Sequence, residues 1–287
     1  MTQGKENTKG CDEEVKAKYI NPFTDFGFKK LFGEEGSKDL LISFLNDLLP
    51  IADKIVDLEF KNIEKLGDID IKRKAVYDIF CTDEQGQHFI VEMQNARQIF
   101  FKDRTVFYST FPIREQAEKG LWDFELQPVY CIGLLGFEFA DENNDEYLHK
   151  VKLKNQFNEV FYNKLTFIFV ELPKFKKTED ELDNHFDKWL YFLRNLEDFE
   201  NIPDILNEDV FQKAFEKAEI ANFSQEQLDA YHESVRIFRD NINVINTALI
   251  EGREEGKKQG LKEGRKEGRK EGKKEEIEKV VLTLLTR

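Results

Sequence analysis

The sequence has few cysteines and no long apolar run. Its 287 residues include only 3 Cys, and Cys11, Cys81 and Cys131 lie far apart. An odd, scattered set favours reduced thiols over a disulfide framework or a structural zinc site. No apolar stretch approaches the roughly 18–20 residues that a membrane-spanning helix needs. The first fourteen residues also lack the apolar core of a secretory signal. We therefore expect no membrane partner and a cytoplasmic location.

The chain also lacks an excess of positive charge. It carries 43 Lys and Arg against 57 Asp and Glu, a net charge of −14. This balance argues against a protein that coats DNA through bulk cationic charge. An acidic enzyme that recruits cations remains consistent with it. The hydrophobic content of 40%, with 27 Phe, is ample for a buried core and excludes general disorder.

Several common catalytic patterns are missing as well. No glycine-rich phosphate loop follows a predicted strand. The four histidines show no metal-ligand spacing, so we interpret them as surface or strand residues; they are His88, His149, His185 and His232. The order of residues supports no Ser-His-Asp set.

Hydrophobic periodicity predicts a mixed α/β chain. Helices are predicted over residues 24–32, 37–48 and 99–118. Strands are predicted over residues 55–63, 75–82, 87–94, 129–137 and 167–172. From Thr178, which suits a helix start, to about residue 250 the pattern is helical. These elements indicate four segments: a disordered tail (1–19), an α/β core (20–175), a helical region (176–250) and a charged tail (251–287).

The charged tail is a repeat in which glycine recurs every four residues from Gly252 to Gly272. Residues 251–287 hold 12 Lys and Arg against 9 Asp and Glu, so their net charge is +3 and residues 1–250 carry −17. Each glycine costs a helix about 1 kcal/mol relative to Ala. We therefore expect a mobile, solvated arm that is helical only when docked. An oligomerisation or nucleic-acid arm is the alternative, although interleaved acidic residues weaken the tracking of phosphates.

A predicted hairpin brings two carboxylates together. Asp83 and Gly86 suit a three-residue turn with a left-handed glycine. That turn pairs Asp83 with Gln87, and every further pair of residue numbers then sums to 170. Asp78 falls opposite Glu92 on one face of the hairpin. Gln94 follows two residues later on the same face.

Two opposed carboxylates repel each other, so a sheet normally avoids the pair. The neighbours Phe80 and Ile90 are apolar, which raises the cost of unpaired acids. A divalent cation between Asp78 and Glu92 would explain the pair, since Mg²⁺ is typically held by one or two carboxylates with waters and phosphate oxygens. Two alternatives stay open: a Lys or Arg neutralises the pair, or the register is shifted by one residue.

With Asp78 followed by Glu92-Met93-Gln94, the sequence resembles the PD-(D/E)XK nuclease superfamily. More narrowly, it resembles the branch of transposases called Rpn recombination-promoting nucleases. The segments similar to that branch are residues 21–33 (NPFTDFGFKKLFG), 40–46 (LLISFLN), 104–108 (RTVFY) and 128–133 (PVYCIG). A charged tail with regular glycines also occurs in the branch. The resemblance covers residues 20–175 well and the rest loosely.

The resemblance implies a restriction-endonuclease-like α/β fold, a mixed sheet flanked by helices, and Mg²⁺- or Mn²⁺-dependent cleavage of DNA in recombination or transposition. Asp78, Glu92 and the carbonyl of Met93 would hold the metal. Gln94 would be the third catalytic residue, although the usual residue there is Lys, whose charge an amide lacks.

The resemblance also suggests substrate-binding residues on two helices. Arg104 and Tyr108 lie at i and i+4 on one helix face and would hold a phosphate; an ordinary helix surface is the alternative. Asp25 and Lys29 have the same spacing and are weaker candidates. The expected partner is DNA, with self-association through the helical region or the tail.

Two rival functions remain. One is a catalytically silent DNA- or protein-binding module, in which Gln94 marks decay of the site. The other is a nuclease used in defence or as a toxin, which shares the chemistry and differs in biological role.

Overall fold

A computed structural model describes residues 17–49, 54–61, 77–117, 123–139 and 145–285. Cys11 and most of the expected N-terminal tail lie outside these ranges. The helices are α1 (Asp25–Phe32), α2 (Lys38–Leu48), α3 (Phe101–Glu115), α4 (His185–Asn195), α5 (Asp209–Ala218) and α6 (Gln225–Leu285). The strands are β1 (Leu58–Phe60), β2 (Ile79–Asp83), β3 (His88–Gln94), β4 (Val129–Leu135), β5 (Leu148–Lys154) and β6 (Val160–Glu171).

The six strands form one mixed sheet in the order β1-β2-β3-β4-β6-β5. The central strands β3, β4 and β6 are parallel, whereas β1, β2 and β5 pair antiparallel with their neighbours. Helices cover the sheet, so the predicted α/β class is confirmed. In such a sheet the loops after parallel strands meet at one edge, and β3 ends there with Gln94.

The two sheet faces build separate cores because side chains alternate along each strand. Cys81 and Phe89 belong to the larger core, which holds the buried side chains of α1, α2, α4 and α5, including the fully buried Trp189. Phe80 and Ile90 belong to the second core, with buried residues of α3 such as Phe101. Glu92 shares the α3 face, so the site lies between the sheet and this single helix.

The structure differs from the predicted elements in the last two strands and in the stretch after Thr178. β6 starts at Val160, not at residue 167, and β5 had no predicted counterpart. The stretch after Thr178 is not one helix: Thr178 caps a single 3-10 turn, and α4 starts later, where the Asn184 side chain accepts a hydrogen bond from the Asp187 amide. Asn and Thr favour such caps because their side chains bind backbone N–H groups locally.

The charged tail is helical throughout its described length, because α6 runs without a break from Gln225 to Leu285. This differs from the expected arm that is helical only when docked. The first turns of α6 are held by side-chain contacts: the Tyr231 hydroxyl accepts a hydrogen bond from the Asn21 amide, and the Ser234 hydroxyl accepts one from the Phe26 amide, both at 3.0 Å. An anchored turn removes the nucleation cost, and Glu, Lys and Arg propagate a helix well.

Two compact units divide the described chain, one ending at Arg236 and the other beginning at Ile237. The sequence-derived boundaries at residues 175 and 250 stay predictions. None of the helices in the described ranges is both long enough and apolar enough to cross a membrane.

Candidate active site

The β2–β3 hairpin has the predicted turn and register. The Asp83 amide donates to the Gln87 carbonyl at 3.1 Å, and Gly86 donates to the Asp83 carbonyl at 3.1 Å. Gly86 has φ of +79°, a left-handed conformation that suits glycine. Ile79 pairs with Val91, and their residue numbers sum to 170. The predicted register is confirmed, and the alternative of a one-residue shift is wrong.

Asp78 directly precedes β2 and reaches across to β3. Its Oδ2 accepts a hydrogen bond from the Met93 amide at 2.7 Å. This bond fixes the carboxylate beside the residue whose carbonyl was expected to be a ligand. Burial raises the pKa of the Asp78 carboxyl above its ordinary range, although the hydrogen bond from Met93 opposes the shift.

Glu92 lies on β3 with 9% of its surface exposed. It lines a small cavity whose other walls include Ile90, Tyr108 and Cys131. The pKa of Glu92 is raised to about 7, mainly because the carboxyl is buried among these groups; Arg104 opposes the shift and the nearby Asp78 charge adds to it. The site therefore holds two carboxyl groups whose charged forms are poorly solvated.

Arg104 turns from α3 toward the sheet. Its Nη2 donates to Gln94 Oε1 at 2.6 Å and lies 3.5 Å from Glu92 Oε2, and its Nη1 donates to Gln98 Oε1 at 2.8 Å. The Gln94 Nε2 donates to the Ala96 carbonyl at 3.0 Å, so the amide is held at both ends. One guanidinium thus faces the acidic pair, and the pKa of Glu92 is still raised beside it.

Tyr108 lies one helical turn after Arg104 and forms an aromatic border to the site. Its ring meets the Tyr77 ring edge to face at 5.3 Å between centroids, and the Arg104 guanidinium lies 5.7 Å from the Tyr108 centroid. The Tyr77 hydroxyl donates to the Tyr108 carbonyl at 2.7 Å, which ties α3 to the start of β2.

Asp25 and Lys29 pair on the first turns of α1, with 2.7 Å between Lys29 Nζ and Asp25 Oδ1. Both side chains are exposed. Their charges act on Asp78: Asp25 raises the pKa of its carboxyl and Lys29 lowers it. The helix starts here because the Thr24 side chain accepts a hydrogen bond from Gly27 at 3.0 Å. A Cβ on Gly27 would lie 2.1 Å from the Asn21 carbonyl oxygen, so this turn requires glycine.

Residues that the sequence did not single out position the end of β3. The Asn95 side-chain amide donates to the Phe23 carbonyl, which joins β3 to the segment before α1. Gly136, after β4, approaches closely: a Cβ there would lie 3.1 Å from Asn95 Oδ1. Gln98 holds Arg104, as described above. The run of polar residues directly after a buried strand is the signal that could have identified Asn95 and Gln98.

The site offers two side-chain carboxylate groups to a cation. Among the residues that the structure describes, no three His, Cys, Asp or Glu side chains gather into a metal site. Two carboxylates with a backbone carbonyl and oxygens from water or phosphate form a set that suits Mg²⁺ or Mn²⁺. The desolvated pair beside one guanidinium therefore fits such an ion.

Of the comparisons with known proteins, one identifies a family. The family model described as PD-(D/E)XK nuclease family transposase matches residues 22–248. The matched range includes Asp78, Glu92, Gln94 and Arg104. Neither the curated proteins nor the solved structures contain a match to the chain.

Proposed function

The chain belongs to the PD-(D/E)XK nuclease family transposases, and from this premise we propose that it hydrolyses DNA phosphodiester bonds with Mg²⁺ or Mn²⁺ in recombination or transposition of mobile DNA. The observation that carries the proposal is a pair of desolvated carboxylates on one hairpin: Asp78 accepts a hydrogen bond from the Met93 amide, and Glu92 lies 3.5 Å from Arg104.

Asp78, Glu92 and the Met93 carbonyl would hold the metal. When bound, such an ion would lower the pKa of a coordinated water and offset the charge that develops on the phosphate. The burial of the two carboxylates supports this assignment, because unpaired buried acids destabilise the folded chain and a divalent cation offsets that cost. The hydrogen bond from Met93 to Asp78 keeps the three groups together.

Gln94 and Arg104 together would replace the lysine that the superfamily usually has. The Gln94 amide can both donate to and accept from a water, so it can orient the nucleophile. The positive charge comes from Arg104, which donates to Gln94 at 2.6 Å. A guanidinium at this point favours an active site over the silent module, because the charge is retained although Lys is absent.

Lys29, Arg104 and Tyr108 are the proposed contacts to the substrate backbone. Lys29 and Arg104 both lower the pKa of Asp78, so their charges flank the carboxylate from α1 and α3. Cations in these positions can bind the phosphates on either side of the scissile one. Asp25 holds Lys29 in place, and Tyr108 borders the same surface through the contact between its ring and Arg104.

Plasmid cleavage tests the proposal. The purified full-length chain is incubated with supercoiled plasmid and Mg²⁺ or EDTA, beside Asp78→Asn and the control Glu84→Gln. Glu84 is an exposed carboxylate in the turn of the same hairpin. We expect nicking or linearisation by the wild type and by Glu84→Gln with Mg²⁺ only, and at least a hundredfold slower cleavage by Asp78→Asn. Cleavage that survives in Asp78→Asn, or none by the wild type with either metal, overturns the proposal.

The biological role needs a cellular measurement. We propose recombination because the family is one of transposases. Expression of the wild type is expected to raise the frequency of DNA transfer or integration relative to Asp78→Asn. Protection against phage without any change in recombination would assign the same chemistry to defence instead.

A further inference from the structure

Helix α6 sorts the repeated charges of the tail by face. An α-helix turns by 100° per residue, so residues four apart lie close together around its axis. Each position of the four-residue repeat therefore forms a row that winds slowly around the helix. Between residues 257 and 274 one row is glycine, two neighbouring rows are almost entirely Lys or Arg, and the fourth is mainly Glu. We use the name basic stripe for the exposed cations of the two neighbouring rows that line one surface: Lys258, Lys262, Arg265, Lys266, Arg269, Lys270 and Lys273.

The acidic residues of this segment lie outside the basic stripe. Glu263, Glu267 and Glu271 occupy the row beside the glycines and do not line the surface that the stripe forms. The interleaving of acids and bases in the sequence therefore does not persist on the helix surface. A stretch that reads as mixed along the chain presents a single sign of charge on one side.

The basic stripe places like charges next to one another and is poorly suited to a protein partner. Lys258, Lys262 and Lys266 follow one another at i,i+4 spacing, as do Arg265, Arg269 and Lys273, and each like-charged pair at this spacing destabilises a helix. Leu261 is the one apolar side chain that lines the stripe surface. Protein interfaces are depleted in Lys and rely on buried aromatic or apolar anchors, which this surface lacks. A polyanion relieves the repulsion without needing an apolar contact.

The spacing of charge matches a DNA strand. Residues 258–273 extend over about 22 Å of helix, so seven cations give one charge per about 3 Å. One strand of duplex DNA carries one phosphate charge per about 3.4 Å of axis. The remainder of the chain is acidic, with −17 on residues 1–250, and repels DNA. A separate basic surface offsets this repulsion.

We propose that the basic stripe of α6 binds the phosphate backbone of duplex DNA, independently of base sequence. The proposal rests on the proposed function for the choice of DNA as the polyanion. The stripe supplies affinity for the substrate, while the chemistry belongs to the site on β2 and β3.

The test compares two triple variants of the full-length chain that lose the same charge. One is Lys262→Gln, Lys266→Gln, Arg269→Gln within the stripe. The matched control is Arg253→Gln, Lys257→Gln, Lys274→Gln, whose side chains are on α6 and do not line the stripe surface. Gln forms helices about as well as Lys and Arg, so circular dichroism is expected to show equal helicity. Binding to a labelled 30-base-pair duplex of arbitrary sequence is measured by anisotropy in EDTA, where no cleavage occurs, at several salt concentrations.

The plot of log K against log salt has a negative slope, and the stripe variant is expected to make it less steep by about 2.7, which is about 0.9 for each of three lost phosphate contacts. At 0.1 M salt this corresponds to at least about a hundredfold loss of affinity. The control is expected to change the slope by less than one. Equal losses in both variants overturn the proposal, because charge alone would explain them. Unchanged DNA binding with altered sedimentation of the stripe variant also overturns it, in favour of a second copy of the chain.

The two proposals can fail separately. If the stripe variant alone loses duplex binding and the wild type cuts no plasmid with Mg²⁺, the DNA contact stands and the nuclease assignment fails. If the wild type cuts plasmid and both variants bind duplex as the wild type does, the nuclease assignment stands and the stripe proposal fails.

Discussion

Arg104 donates a hydrogen bond of 2.6 Å to the side-chain oxygen of Gln94. The two residues come from different elements, α3 and β3, and the same guanidinium lies 3.5 Å from Glu92. A positive charge thus stands beside the position where the superfamily usually has Lys. The residue at position 94 and the residue at position 104 should therefore be considered together when either is replaced.

We predict that Gln94→Lys alone lowers cleavage at least about tenfold, although it restores the usual superfamily residue. The new ammonium would meet the Arg104 guanidinium, and two like charges at this distance repel by more than the roughly 1.4 kcal/mol that corresponds to a tenfold change in rate. The double variant Gln94→Lys, Arg104→Gln exchanges the two groups and is expected to recover most of the rate. Plasmid cleavage measures both variants. Full activity of Gln94→Lys alone would show that the Arg104 charge does not matter.

Glu92→Gln is predicted to stabilise the metal-free protein at pH 8. Burial raises the pKa of Glu92 from 4.5 to about 7, so the folded state holds its proton more tightly than the unfolded state. The resulting stability is complete below about pH 4.5 and is lost as the pH rises through about 7. Gln undergoes no such loss, so in EDTA at pH 8 the variant is expected to exceed the wild type by about 3 kcal/mol in free energy of unfolding. Urea denaturation at pH 4 and pH 8 measures it, and an equal difference at both pH values contradicts the account.

His185 is predicted to contribute stability at low pH, away from the candidate site. Its ring bonds to Asp47 through Nδ1 and lies 3.0 Å from Glu208 through Nε2. The hydrogen bond to Asp47 is the main cause that raises the pKa of His185 above 6.5. The stabilisation is therefore complete below pH 6.5 and is lost as the pH rises through the higher folded value. His185→Gln should cost about 1 kcal/mol at pH 6 and clearly less at pH 9 by urea denaturation. A cost that does not depend on pH would assign His185 a packing role only.

Two glycine substitutions are predicted to have opposite effects. Gly27→Ala places a Cβ 2.1 Å from the Asn21 carbonyl oxygen, so the turn before α1 must rearrange, at a cost of at least about 2 kcal/mol. Gly260→Ala meets nothing within 4 Å and raises helix stability by up to about 1 kcal/mol. Thermal unfolding measures the first effect and circular dichroism the second. A tolerated Gly27→Ala would mean that the turn is less constrained than its contacts indicate.

The parts of the site that depend on local rules could be predicted from the sequence. Asp83 and Gly86 determine the turn, and the turn determines the register, which pairs Ile79 with Val91. Asp78 and Glu92 directly flank that pair, and the Asp78 charge raises the pKa of Glu92. The contact between Arg104 and Gln94 could not be predicted, because it depends on how α3 packs across the sheet. β5 went unpredicted because its alternation of Lys with Val151 and Leu153 is typical of an exposed edge strand and gives a weak apolar signal.

For the charged tail, the sequence underestimated how helical the segment is. Summing a cost for each glycine predicted an arm without stable helix, since the sum treated the segment as isolated. The structure continues it from turns that Tyr231 and Ser234 already anchor. Nucleation, which dominates the cost of a short helix, is thereby met before the first glycine of the repeat. The same continuity produces the basic stripe, because only a helix separates the rows of the repeat.

Titration of Mn²⁺ into the full-length chain at pH 8 tests the central claim most directly, because it measures the metal site without relying on activity. Isothermal calorimetry compares the wild type with Asp78→Asn, Glu92→Gln and the control Glu84→Gln. We predict one site in the wild type and in Glu84→Gln, weakened at least about tenfold in both site variants, since each loses a carboxylate ligand. Equal binding by all four proteins would contradict the account, because the cation would then be held somewhere other than between Asp78 and Glu92.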